Sequence, residues 1–583
     1  MTNGALSAIR QSLENAATAS PMPHWATVGD VLGNQMDIPD EEVRGLVWAF
    51  KYVHTRDDDV DRQAAYGDFG PMLETQDGVY PPALADVEPR WLELWATLAD
   101  SDNPVISSRL NDLLWTCRWH VDKEPHEYAR AAAEAYLVLV AGVWEPIYRV
   151  HTLGRVFQIA QALKDGELLA RAIATAETLA RESLVRDELL PGVTIRALRL
   201  LAGVSDELQP SDLPGLVEQA TVAYQDNMLA YPQLMDLRIG LASDPATRRS
   251  LQRAKVQRFI DESGRGTGLE RLTYLRDAYD SARRHHLGDE AKQVQILMQQ
   301  VQPADDDFHV LETDVAVPGD EVEALYSHFV DAGSWQGALE ALGAQVPVAD
   351  EATARERTEE LYADSPLVLL INNVLYGPGG RPVRYGQNRE DNLLMAMART
   401  DRLTIEWWAQ CAADVLERVC EKYGVPTEEE LTKYFITPHI PDEVARHFAR
   451  GLLLFWRGQH DECAHVVIPR IERTIRAMCE SGRLLIYRQP VQGKDGQYFG
   501  LGRLLNDMLE HKMWVNEALG RYLRALLTDT TCKNLRDELC HGLLVEATRG
   551  DAALAIHAAC VLRLLHKNEA DVQDEADRLS DRP

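Results

Sequence analysis

The sequence predicts an all-α protein, and three observations carry that expectation. Apolar residues recur three and four apart through most of the chain, the spacing of a helix with one buried face. Leu, Ala, Arg and Glu, which lose little on entering a helix, dominate the composition. Alternating apolar and polar strand patterns are nearly absent. At 583 residues the chain exceeds what one hydrophobic core serves, so several domains are expected.

Residues 1–150 read as an N-terminal helical domain. DEEVRGLVWAFKYVH (40–54) and YARAAAEAYLVLVAGVWEPIY (128–148) have helical spacing, and a loop rich in Pro, Gly and Asp lies at 66–89. Residues 151–345 read as helical hairpins such as ELLARAIATAETLARESL, LERLTYLRDAYDSARRHH and DEAKQVQILMQQV. SWQGALEALG (334–343) has the large-x-x-small spacing of a tetratricopeptide-like unit, so this region is expected to be a degenerate α-solenoid with a concave binding face. A compact bundle without a partner is the alternative. An acidic, proline-bearing stretch follows at 302–320. The main boundary is expected in the soft region 346–366.

Residues 355–440 read as a helical connector. In it, SPLVLLINNVLYGPGGRPVRYGQ (365–387) reads as a short strand or helix end, a turn and an irregular loop. Residues 441–570 read as a bundle with helices at 442–457, 461–481, 515–527, 531–549 and 552–566, and GLGRLLNDML (500–509) between the second and third. An acidic tail, 571–583, ends the chain.

The formal charge of -31 argues against a general nucleic-acid or membrane coat, because an acidic surface repels polyanions. Residues 441–540 depart from this with a net charge of +2, which leaves room there for a local polyanion site. The eight cysteines are scattered, with no C-x-x-C pair and no disulfide framework. MTNGALSAIRQSLENAA has no apolar signal-peptide core, and no apolar run approaches membrane-spanning length. A reduced, cytoplasmic protein with no membrane partner is expected.

Several short motifs read as structure. GPGG (377–380) lacks the lysine and hydroxyl of a phosphate loop and is expected to be a turn. DDDVD (57–61) lacks the glycine and glutamate of a calcium loop and is expected to be a solvated acidic loop. His460, Cys463 and His465 lack a fourth ligand at zinc spacing and continue into an apolar helix. His285 and His286 follow two arginines at a helix end, where basic groups complement the dipole. No metal or cofactor is expected.

NLRDELCHGLL (534–544) is different. On an ideal helix Leu535, Leu539 and Leu543 form an apolar stripe, and Asn534, Asp537 and His541 form a polar one. Arg536 then lies about 140° around from His541, so one straight helix does not aim both at one point. The long arginine stem, or a second copy across a two-fold axis, would bring them together. A surface arginine beside a structural histidine is the alternative, and spacing alone favours it.

The stretch resembles the HEPN superfamily (higher eukaryotes and prokaryotes nucleotide-binding domains), whose ribonuclease members carry R-x(4–6)-H. It is similar to the N-L-R-N/D-x-x-A/C-H-G-L form of the bacterial family called domain of unknown function 4209. VIPRIERTIRAM (467–478) and LGRLL (501–505) agree with that family. The resemblance covers 365–549 and is firmest from Pro441. Asp537 stands where the usual residue is Asn, an acceptor in place of a donor.

The resemblance implies a HEPN-like C-terminal bundle acting as a metal-independent endoribonuclease on RNA such as tRNA or mRNA. Arg536 would hold the phosphate, and His541 would move a proton to or from the 2′-OH. Asp537 or Asn534 would orient the imidazole. The site would form in a homodimer, restrained by a protein or phage-derived trigger at the N-terminal helices. Bacterial phage defence, abortive infection and toxin–antitoxin function are the settings implied. The competing readings are a non-catalytic dimerisation or RNA- or nucleotide-binding scaffold for another effector, and a nucleotidyl-transfer target with Tyr522 the nearest tyrosine.

Overall fold

The computed structural model describes residues 3–19, 25–35, 41–54, 69–75, 78–121, 123–142, 144–185, 189–301, 318–363, 365, 367–370, 373–377, 381–491, 495–511 and 516–580. The fold is all-α: helix takes 72 % of the chain, and among the described residues strands occur only as four two-stranded antiparallel pairs. The acidic DDDVD loop and most of the 302–320 stretch lie outside the described residues, as do three of the four residues of GPGG. Contacts divide the chain into two compact units, 1–301 and 302–583.

In the first unit, proline opens one helix after another: Pro89–Leu98, Pro104–Thr116, Pro125–Ala141, Pro146–Leu163 and Pro191–Ala202. Its missing N–H costs nothing in the first turn, where those donors have no intrahelical partner. From Pro104 onward each helix packs mainly on its chain neighbours, the pattern of a helical repeat. One apolar core nevertheless runs from Ile9 to Leu234, across the expected join at 150. A buried ion pair also crosses that join. Arg155 donates from Nε (2.9 Å) and Nη2 (2.7 Å) to the two oxygens of fully buried Asp112, and the Tyr136 hydroxyl donates to the same carboxylate at 2.7 Å.

In the second unit the first part of the Arg549–Ser580 helix is apolar on every side, DAALAIHAACVL, and every residue from 551 to 562 is buried. The helices Trp335–Ala344, Arg389–Tyr423, Asp442–Trp456 and His460–Ser481 pack around it. At Gly343 a Cβ would stand 2.8 Å from the backbone of Cys560, so only glycine lets these two helices approach so closely. SWQGALEALG, read from sequence as part of the repeat region, therefore belongs to the core of the second unit. The contact division falls at 301/302, ahead of the expected boundary in 346–366.

His557 sits at the centre of this core with no exposure. Its Nε2 lies 3.0 Å from the carbonyls of Leu342 and Gln345 and must carry the proton. Its Nδ1 therefore accepts from the Tyr522 hydroxyl at 2.7 Å and from Trp408 Nε1 at 3.4 Å. Burial lowers its pKa to about 4. Tyr522, the candidate nucleotidyl acceptor, is fully buried and committed to this bond, which removes it as a modification site.

The acidic tail is helical as far as Ser580. Two expected elements change. The 365–387 loop contains a hairpin of Val374–Tyr376 with Pro382–Tyr385. The single helix expected over 531–549 does not exist, and its remnant is the candidate site.

Candidate functional site

The motif helix is six residues long, Leu535–Cys540. Leu535 and Leu539 are buried and anchor it. Upstream, the amides of Lys533 and Asn534 donate to the Ala525 carbonyl at 3.1 and 3.3 Å, tying the segment to the Glu517–Leu527 helix. Asn534 takes a left-handed backbone (φ 51°) and caps nothing with its side chain.

The helix ends at Cys540 through a Schellman motif. The Leu543 amide donates to the Glu538 carbonyl at 2.8 Å, and the Gly542 amide to the Leu539 carbonyl at 3.2 Å. Gly542 has φ 68°, a left-handed conformation that glycine adopts without strain. The glycine after the histidine is thus a helix stop. Leu543, expected on the apolar stripe, is 61 % exposed because the helix has ended before it. His541 is the C-cap, and its exposed ring has no side-chain partner among the described residues.

Arg536 points elsewhere. Its Nε (3.0 Å) and Nη2 (2.7 Å) both donate to Glu472 Oε2, and its Nη1 donates to Asp537 Oδ1 at 2.6 Å. Glu472 Oε1 accepts from Arg476 Nη2 at 2.6 Å, and Arg476 Nη1 donates to the Phe499 carbonyl at 3.0 Å. Two guanidinium and two carboxylate groups thus form a neutral, mostly buried network. Burial opposes the charge on Arg536, but its bonds to Asp537 and Glu472 outweigh burial, and its pKa is raised. The guanidinium has five N–H groups, so two remain for any other acceptor.

The sequence-predicted residues are therefore neighbours on one short segment but do not form the expected constellation. Asp537 is bound to Arg536 and does not hold the imidazole. Asn534 is buried with its Oδ1 unpartnered and makes no bond to His541, so neither proposed orienting residue fills that role here. What the structure does bring together is the three resembling segments. Glu472 and Arg476 lie in VIPRIERTIRAM, Arg536 in the motif helix, and Arg503 of LGRLL stacks 3.5 Å over the Phe499 ring. Sequence reasoning missed Glu472. Its i,i+4 pairing with Arg476 was legible, but its contact with Arg536, 64 residues away, was not.

The remaining candidates resolve simply. Cys463 is buried in the core, and burial pushes its thiol up to about 12, while His465 faces solvent and His460 lies against Phe455. Among the described residues no group of three or more His, Cys, Asp or Glu is placed to hold a metal. The backbone carbonyls of His285 and His286 accept from Arg249 at 3.0 and 3.2 Å. Two recesses, of about 630 and 330 Å³, are lined by neither Arg536 nor His541. Among the described residues no helix is long and apolar enough to cross a membrane.

No family model, curated protein or solved structure matches this chain.

Proposed function

We propose that the second unit is a metal-independent endoribonuclease of the HEPN type. His541 would be the proton-transfer residue and Arg536 the phosphate-binding residue. The observation that carries this reading is the meeting of the three resembling segments at the Arg536–Glu472–Arg476 network, beside an exposed histidine with no competing partner. RNA cleavage by the 2′-OH needs no metal. A base takes the hydroxyl proton, an acid returns one to the leaving 5′-oxygen, and a cation offsets the charge growing on phosphorus. An unpartnered imidazole can serve in either proton step. Arg536 would meet a phosphate through its two uncommitted N–H groups, or by exchanging Asp537 for a phosphate oxygen.

In the same reading two copies meet at the motif, the cut RNA is a tRNA or mRNA, the first unit binds a trigger, and the setting is bacterial phage defence or a toxin–antitoxin pair. The second reading is a non-catalytic scaffold. It is favoured by the two carboxylates that already neutralise Arg536. Cleavage of labelled total RNA in EDTA separates the two. Loss of cutting in both Arg536→Ala and His541→Ala, with folding intact, supports the enzyme. Cutting by His541→Ala at the wild-type rate removes it. Binding of RNA without cutting, unchanged by His541→Ala, supports the scaffold.

A further inference from the structure

The network at Arg536 continues into a surface that the motif does not include. The short antiparallel hairpin of Tyr487–Arg488 with Gln497–Tyr498 stands next to the His460–Ser481 helix. Tyr487 and Tyr498 are cross-strand partners, with ring centroids 5.0 Å apart and planes at 65°. Tyr498 is nevertheless 60 % exposed. The Arg476 guanidinium lies 5.2 Å from its ring centroid. The same Arg476 binds Glu472, which binds Arg536, so the exposed tyrosine is linked to the motif arginine through two side chains.

Further arginines lie along the same stretch of chain. Arg488 is exposed and donates from Nη2 to Gln497 Oε1 at 3.4 Å, with no carboxylate partner among the described residues. Arg503 stands 3.5 Å over the Phe499 ring centroid, is half exposed, and has Asp507 at 3.5 Å. Arg473 and Arg483 are exposed with no ion-pair partner among the described residues. Asp495 and Glu480 are the acidic residues of the stretch 473–503, which still has a net charge of +4 in a chain of -31. An exposed aromatic face set among arginines is the chemistry that receives a nucleobase and its flanking phosphates, since every base has a π-face and every phosphate a negative charge.

We propose that the hairpin is a binding subsite for single-stranded RNA, in which an unpaired base stacks on Tyr498 while Arg488 and Arg503 hold the neighbouring phosphates. The inference rests on the ribonuclease reading for its choice of RNA, and it names what that reading lacks, a place for substrate beyond the scissile phosphate. Stacking needs a free base face, so an unpaired strand binds and a duplex of the same sequence gains nothing from Tyr498.

The test uses the full chain in a His541→Ala background, so that binding is read without cleavage. A fluorescently labelled oligouridine is titrated, and anisotropy is followed at fixed salt. Tyr498→Ala is expected to weaken binding about tenfold, Tyr498→Phe to retain it, and a blunt RNA duplex to show no dependence on residue 498. Equal binding by the parent and Tyr498→Ala, or no binding by either, overturns the proposal. A parallel cleavage assay with His541 present keeps the two readings apart. Tyr498-dependent binding without any cutting leaves the subsite standing and removes the nuclease. Cutting that depends on His541 but not on Tyr498, with binding unchanged, does the reverse.

Discussion

One oxygen of Glu472 holds Arg536 twice, with Oε2 accepting from Nε at 3.0 Å and from Nη2 at 2.7 Å. Both side chains are about four-fifths buried, so solvent screens the pair only in part. The arginine that the motif singles out is therefore charged, fixed in place and largely satisfied by groups of its own chain.

Replacing that acceptor should release the arginine. Glu472→Gln keeps the shape but removes the charge, so Arg536 should bind phosphate more strongly and RNA cleavage should rise severalfold. The same change should lower stability by about 1–3 kcal/mol, the usual worth of hydrogen bonds to a charged group. Cleavage rates and denaturant titrations on one preparation read both effects. Lower stability with unchanged cutting would separate the network from activity and make it a structural tie only.

His541 should be expendable for folding. Its exposed ring has no side-chain partner, so His541→Ala should shift stability by less than about 0.5 kcal/mol. A melting curve decides this. A large drop would show that cleavage lost in this variant reports unfolding, and the proton-transfer role would need different evidence.

Gly542 should resist substitution for a backbone reason. At φ 68° an alanine pays a left-handed penalty of about 1 kcal/mol, and the bonds from residues 542 and 543 that close the helix should loosen. Amide exchange at 542–544 should quicken in Gly542→Ala. Unchanged protection there would mean that the turn is held by other contacts.

His557 should make the second unit acid-sensitive. Its pKa falls from 6.5 to about 4 on folding, because burial disfavours the charged ring. Between those values the unfolded chain binds more protons, so stability is fully present above pH 6.5 and is lost as pH falls toward 4, by about 3 kcal/mol in all. His557→Gln should flatten this slope in urea titrations at pH 7.5, 6 and 5, whatever its absolute stability. An unchanged slope would assign the acid sensitivity to other groups.

Asp112 should be critical in the first unit. It is the anion of Arg155, and Arg109 lies buried nearby with its pKa lowered to about 10 by burial. Asp112→Asn removes the buried carboxylate that Arg155 and the Tyr136 hydroxyl share and should cost about 3–5 kcal/mol. Chemical denaturation of the first unit's signal measures it, and a loss under 1 kcal/mol would mean that water or the tyrosine compensates.

The helical class was legible in the sequence because amphipathic spacing is a local property, and its apolar faces did become the cores. Proline starts and a glycine stop are local features too, but the expected 531–549 helix ran through Gly542, and only the backbone showed a stop directly after His541. The expected 531–549 helix failed at that point. The leucine spacing of Leu535, Leu539 and Leu543 continued past a residue whose φ ends the helix. Within the single chain Asp537 accepts from Arg536, which the sequence did not show, because hydrogen-bond partners are chosen by proximity in space.

The sequence by itself therefore determined which segments are mostly helical and which residues bear the chemistry of a candidate site. Tertiary structure alone decided that Glu472 would capture Arg536 from 64 residues away, that His557 would be locked neutral among Tyr522, Trp408 and two carbonyls, and that 319–344 would join the second core. The physical reason is range. Helix propensity and capping act within about one turn of backbone, whereas ion pairing and burial depend on which distant surfaces meet.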